Sequence, residues 1–420
     1  MSQIKLGQSL APLRQRSFLV LWIGQSVSSI GNAFILVALA FAVLHVGGDA
    51  VDVGVVAAIQ VAARIIFALA GGVWGDRLRR HFVMLTSDVL RAAVEAVLAG
   101  LLISGHCRVW EIAVGVTIFG AATAFFQPAA TGLIPEVAAP EMLTQANALM
   151  SLSRSTLQTV SPAISGVLIA AFGPGLVFAL DSATFVVSAI SLAMLRLPPK
   201  QRSKHNTFLQ DLAGGWREVS SRTWLWLNLC AHASYNFAIS GYAILGPVIC
   251  AERLGGAAAW GIVSTSWGLG AVVGGLIGMR RTPERPLVVS NVGGVLGALT
   301  LLALALLGPT WLICVAAVVG GVGLSLLNIY WTTTVQQLVP EDALSRVNSY
   351  DWLISLVAQP AGFALIGVIA LHIGDRATLN GAAAVLGIPC LLVMLVPAVR
   401  NVRPVKKVSI EKEELPQGKT

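Results

Sequence analysis

Long apolar runs separated by short polar clusters dominate this chain. No Asp, Glu, Lys or Arg occurs between Arg16 and Asp49, Glu111 and Glu136, Arg154 and Asp181, Arg222 and Glu252, Arg253 and Arg280, Asp351 and Asp375, or Arg376 and Arg400. Each run can supply the roughly 20 apolar residues that carry a helix across hydrocarbon. The uncharged run from Arg285 to Glu341 is long enough for two helices and holds Gly308-Pro309 near its middle, so it reads as two spans joined by a tight turn. With the segments that single charges interrupt, the pattern predicts twelve helices, over 17–44, 52–75, 82–104, 109–131, 145–172, 175–196, 223–250, 257–279, 286–307, 310–335, 346–373 and 377–398. The runs are continuous rather than alternating, which selects helices over barrel strands.

Several spans carry polar residues at helical spacing. Gln25, Ser28, Ser29 and Asn32 share one face of the first, Asn228, His232 and Asn236 share one face of the seventh beside Tyr235, and Ser325, Asn328 and Thr332 repeat the pattern in the tenth. The fourth offers Thr123 and Gln127. The fifth aligns Arg154, Gln158, Ser161 and Ser165, and the eleventh aligns Asp351, Ser355 and Gln359. Such faces suit a water-filled path or a sliding interface, although Ser and Thr also serve helix packing in membranes.

Ionisable residues inside spans are costly to bury and mark candidate functional groups. At ~1.5 Å per residue, Arg64 lies about 18 Å along the second span from the following turn and Glu95 about 20 Å along the third, so the two are candidates for pairing near the midplane. Asp88, Arg91 and Glu95 stand at i, i+3 and i+7, which makes Arg91 an alternative partner for either acid. The set reads either as an ion-pair staple or, through Glu95 or Asp351, as a carrier of a coupling proton.

Charge fixes a predicted orientation. Of 28 Lys and Arg residues, Arg108, Arg253 and Arg376 fall in loops on one side and Arg64, Arg91 and Arg154 within spans; all others fall in segments on the side of the two termini. The positive-inside rule makes that side cytoplasmic, in a bacterial inner membrane. The net charge of +8 is thereby a topological signal, with anionic lipid headgroups rather than nucleic acid as its partners. A content of 56% hydrophobic and 11% charged residues excludes a soluble surface of ordinary polarity. The first apolar run is too long for a cleaved signal segment and reads as an uncleaved helix. The five cysteines lack a C-x-x-C pair, and the six histidines are dispersed, so no metal site or disulfide framework is indicated.

The chain divides in two. A polar stretch over 197–222 separates a bundle over 1–196 from one over 223–400 and reads as a cytoplasmic linker; 401–420 reads as a disordered cytoplasmic tail. Leu133-Ile134-Pro135-Glu136 with Leu143 and Asn147 is echoed by Leu338-Val339-Pro340-Glu341 with Leu344 and Asn348, each ahead of a span with an internal proline, Pro162 or Pro360. Two repeated halves around a midplane site are the architecture of carriers that alternate access.

Between the second and third spans, Gly72-Val73-Trp74-Gly75-Asp76-Arg77-Leu78-Arg79-Arg80 resembles the major facilitator signature G-x-x-x-D-R-x-x-R. The run from Phe125-Phe126-Gln127-Pro128 to Asn147-Ala148-Leu149 resembles the branch of that family containing macrolide exporters and the enterobactin exporter. The resemblance covers most of the chain and implies an all-α membrane fold of twelve helices in two six-helix bundles. It implies a gate at Gly72, Asp76, Arg77 and Arg80 that latches the halves, and a cavity between the first, fourth, seventh and tenth helices. Gln25, Ser29, Asn32, Gln127, Asn228, His232, Tyr235, Asn236 and Asn328 are the candidate cavity residues. Ser161-Pro162-Ala163-Ile164-Ser165-Gly166 is similar to the antiporter motif G-P-x-x-x-G, with Ser161 in place of its first glycine; a plain proline kink is the alternative reading.

The function implied is export of a small amphipathic molecule in exchange for protons, by a monomer with no cofactor. The chain has no Walker loop, so energy must come from a gradient. An importer or a lipid-type facilitator on the same fold is the alternative within transport, and a non-transporting membrane sensor the alternative outside it. No H-E-x-x-H, G-x-S-x-G or paired membrane aspartate motif supports an enzyme.

Overall fold

The computed structural model describes residues 11–75, 79–139, 142–195, 217, 219–280 and 283–403. The linker and the tail expected from the sequence lie almost entirely outside these residues, as do Asp76 and Arg77 of the gate motif. The described residues contain no strand. After a short turn at Ala11–Arg14 come twelve long helices: α1 (Arg16–His45), α2 (Ala50–Gly75), α3 (Arg80–Ile103), α4 (Val109–Val137), α5 (Leu143–Phe172), α6 (Pro174–Ala193), α7 (Thr223–Ile249), α8 (Gly256–Arg280), α9 (Pro286–Ala305), α10 (Thr310–Leu338), α11 (Glu341–Ile373) and α12 (Asp375–Leu395).

Ten of the twelve are long and apolar enough to cross a membrane by composition alone. The other two are α3, whose middle holds Asp88, Arg91 and Glu95, and α11, of which only Val357–Ile373 is uniformly apolar. Several helices outrun their predicted spans: α4 continues to Val137, α10 to Leu338, and α11 starts at Glu341. Hydropathy marks where the chain enters hydrocarbon, whereas the helix goes on through the interface until its own backbone signals end it.

The packing repeats. In the first half α3 lies on α4 and α6, α1 on α5 and α6, and α2 on α4; in the second, α9 lies on α10 and α12, α7 on α11 and α12, and α8 on α10. Adding six to each label in the first set generates the second. The same shift relates the two main contacts between halves, α2 with α11 and α5 with α8. The junctions repeat too: Gly173 before α6 and Gly374 before α12 have φ of 78° and 81°, a left-handed turn that glycine adopts without penalty. Hydroxyls tie neighbouring helices to one another, Ser182 donating to the Ala92 carbonyl at 2.8 Å, Ser290 to Leu327 at 3.0 Å and Thr300 to Ala316 at 2.9 Å. Apolar side chains such as Val97, Ile190, Leu371 and Leu392 cover the outside, as a hydrocarbon solvent requires.

The halves meet at the end of the bundle away from the two termini. There the backbones touch. A Cβ added to Gly54 would stand 2.3 Å from the Phe363 carbonyl, one on Gly367 2.5 Å from that of Ala50, and one on Gly166 2.4 Å from that of Ala257. Along α5 and α8 the approach reaches Thr159 and Gly268. Beyond it, toward the termini, Arg154 and Ser155 of α5 and Val272, Val273 and Leu276 of α8 are exposed. The close backbone contacts between the halves among the described residues are therefore gathered toward the far end.

Candidate transport cavity

A cavity of about 670 Å³ lies between the halves on the termini side of this seal. The first-half helices build most of its wall. Gln25, Ser29 and Asn32 of α1 and Gln127 of α4 line it, and the wall continues through Gln60 and Arg64 of α2 and Arg154 and Gln158 of α5. Among the described residues, the second half contributes Ala243, Ile244, Gln359 and Phe363. Phe119, Phe126 and Leu39 give one part of the wall an apolar surface. Within α1, Ser29 and Asn32 satisfy themselves against carbonyls one turn back, at 2.7 and 2.8 Å, which keeps a polar face compatible with an unbroken helix.

The polar residues of α7 and α10 lie apart from this wall. Asn228 is fully buried and accepts a 2.8 Å hydrogen bond from the Asn291 amide of α9; Tyr235 packs against Gly297 of the same helix. Asn236 donates to the His232 carbonyl at 2.9 Å, and Asn328 is exposed away from the cavity. His232 joins a network inside the second half: the Trp331 indole donates to Asp351 at 2.8 Å, His232 Nδ1 stands 3.7 Å from the other carboxylate oxygen, and its ring meets Trp331 edge to face at 4.7 Å. Equal spacing along a helix fixes that residues share a face, not whether that face meets solvent or a neighbouring helix.

Beside the α1 wall sits a buried charged cluster whose Arg91 borders the cavity. Asp88 and Arg91 pair directly, and Asp88 also accepts a 2.6 Å hydrogen bond from Ser188 of α6. Gln25, on the cavity wall, donates to that same hydroxyl at 3.1 Å. The Arg91 guanidinium faces the rings of Phe126 at 4.2 Å, Phe185 at 4.4 Å and Phe119 at 5.8 Å, a cage in which cation–π attraction replaces water. Asp181 of α6 accepts from Thr184 at 3.1 Å and lies near enough to interact with Arg91, Asp88 and Glu95. Glu95 and Asp181 each keep one buried carboxyl oxygen without a described partner. Asp181 carries the same sequence signal as Glu95, a lone charge inside a span, and sequence reasoning did not single it out.

The pairing of Arg64 with Glu95 considered from sequence does not form. Helix α4 stands between them, packed on both α2 and α3, so Arg64 turns to the cavity and Glu95 to α6. On the termini side, Arg80 pairs with Glu136 at 3.0 Å, a bond within the first half that joins the end of the gate motif to the Leu133-Ile134-Pro135-Glu136 run. Pro162 and Gly166 of the antiporter-like motif form the α5 side of the seal, against Gly261 and Ala257 of α8. Ser161 is buried beside them.

The sequence profile of the transmembrane secretion effectors, a branch of the major facilitator superfamily, matches residues 7–417. The chain belongs to this family. Its members are transporters and not enzymes, and this chain is a multi-pass membrane transporter. It is 24% identical over 364 residues to macrolide efflux protein A of Streptococcus pyogenes, covering 85% of this chain and 90% of the relative. It is 27% identical over 390 residues to the multidrug efflux pump Tap of Mycolicibacterium fortuitum (87% and 91%) and 27% over 392 residues to the enterobactin exporter of Salmonella paratyphi A (85% and 87%). Among solved structures, a peptide transporter superposes with a TM-score of 0.75 at 12% identity, covering 96% of this chain and 100% of its own. An inward-facing bacterial homologue of the lysosomal transporter Spinster gives 0.71 at 14%, covering 93% and 98%. These likenesses establish the fold of the family in this chain.

Proposed function

We propose that this protein exports small amphipathic molecules, of the kind represented by antibiotics or siderophores, in exchange for protons by alternating access. The observation that carries the reading is the cavity between the halves, sealed on one side by interlocking glycines and reaching toward the side of the termini along Arg154, Met150 and Asn147. With the termini cytoplasmic, as the distribution of Lys and Arg favours, this is the substrate-loading state of an exporter. Rocking about the seal would expose the cavity on the opposite face. In that state Gly72, Asp76, Arg77 and Arg80 would latch the near ends of the halves, and Arg80 would exchange or share its bond with Glu136.

The buried cluster supports proton exchange. Three carboxyl groups, Asp88, Glu95 and Asp181, surround the single guanidinium of Arg91, so the cluster is charge-balanced when two of them carry protons. Uncompensated charge buried in a membrane is costly, which couples its protonation to any movement that admits water. The chain Gln25, Ser188, Asp88 links the cluster to the cavity wall. Helices α1 and α4, packed against it, bring no charged side chain to its level.

Proteoliposomes with an imposed pH gradient, supplied with a panel of fluorescent macrolides and catecholate siderophores, test the reading. Movement of at least one member against its own gradient, opposite to the proton flow, is expected. Asp181→Asn should abolish the gradient-driven part while leaving downhill exchange. Uptake with the opposite proton dependence would make the protein an importer.

A further inference from the structure

We infer that the cavity is an anion-binding site whose ligands are amphipathic organic anions, gripped between Arg64 and Arg154. The inference rests on the transport reading above and adds the charge class of what is carried. Arg64 and Arg154 both line the cavity, both are exposed to it, and neither makes an ion pair or hydrogen bond with any described residue. Among the described residues, no Asp or Glu lines the cavity. The carboxyls of Asp88, Glu95 and Asp181 are buried, and Arg91, which pairs with Asp88, itself borders the cavity as a third but already matched guanidinium.

A guanidinium held inside a membrane protein without a carboxylate partner is short of a counterion. Arg91, the other described arginine inside a span, is matched by Asp88. Placement adds to the argument. Arg64 is on α2, the helix that meets α11, and Arg154 on α5, the helix that meets α8, so the two cations stand at opposite edges of the first half with the cavity between them. Between them, Gln60 and Gln158 offer amide donors to the rest of an oxyanion's shell, while Phe119 and Phe363 give an apolar body its surface. The described second-half residues that line the site are neutral.

The matched probes are dansylglycine, dansylamide and dansylcadaverine, which share a fluorophore and differ in being anionic, neutral and cationic. Each is titrated into the full-length protein in phosphatidylcholine nanodiscs, with empty nanodiscs as blank. A charge-assisted contact is worth about tenfold in affinity or more, so dansylglycine should bind at least about tenfold more tightly than dansylcadaverine. The readout in variants is the ratio of dansylglycine to dansylamide affinity, which cancels general damage to the fold. That ratio should fall about tenfold in Arg64→Gln and in Arg154→Gln and recover in the corresponding Lys variants. An unchanged ratio in the Arg64→Gln/Arg154→Gln double variant, or cadaverine binding as tight as glycine binding, overturns the anion site. Arginine-dependent dansylglycine binding with no flux of any probe across vesicles would sink the transport reading and leave the site; arginine-independent efflux of dansylcadaverine would do the reverse.

Discussion

Arg91 shows how one residue is made tolerable inside a membrane. Its charge is met by Asp88 on one side and by three aromatic faces on the others, and the three helices that build the cage, α3, α4 and α6, belong to the first half. Removing one partner of a buried pair leaves the other uncompensated, at a cost of about 3–5 kcal/mol. Arg91→Gln should therefore lower the unfolding free energy by that amount, read from denaturant titration of the purified protein in micelles. Asp88→Asn combined with Arg91→Gln should recover part of the loss, because a neutral pair leaves no orphaned charge. If Arg91→Gln unfolds like the wild type, the pair contributes nothing and the cage is decoration. The i, i+3 relation of Asp88 to Arg91 was legible in the sequence because both lie on one helix. Asp181 was not, since its place in the cluster depends on α6 crossing α3.

At the scale of helices, the informative contacts are those between backbones. Gly54 with Phe363, Gly367 with Ala50, and Gly166 with Ala257 bring helices of opposite halves together where a single methyl group would collide with a carbonyl. Small residues at such crossings let dispersion and close approach take over where lipid offers no hydrophobic drive. Gly166→Val or Gly54→Val should wedge the far end apart and shift the population toward the state open there. Spin labels at exposed far-end positions, one in each half, should report a longer distance by electron–electron double resonance. Unchanged distances would mean that the seal tolerates a side chain and is not what closes the molecule. The sequence marked Pro162 and Gly166 as a motif but not their partners Gly261 and Ala257, because one glycine among many on α8 carries no signal of what it faces.

For the whole molecule, twelve helices bring both termini to one end, and the basic residues gather at that end in the sequence. A green fluorescent protein fused after Thr420 should fluoresce in intact bacteria, and alkaline phosphatase at the same place should be inactive. The reverse pattern would invert the membrane orientation and with it the direction of transport. The repeat of the packing by a shift of six helices means that one set of contacts, α2 with α11 and α5 with α8, joins the two halves in the same way on both sides.

The sequence by itself determined the helices and their number, because hydrocarbon imposes a length on apolar runs. It also held the α1 polar face that the cavity uses, since residues on one face of one helix are fixed by spacing. Only the tertiary structure decided which faces meet. The α7 stripe turned to α9 and its own half, Arg64 was separated from Glu95 by α4, and Asp181 joined Arg91 from the far end of the first half. Those outcomes depend on crossings between helices distant in sequence, and no local pattern encodes where two such helices cross.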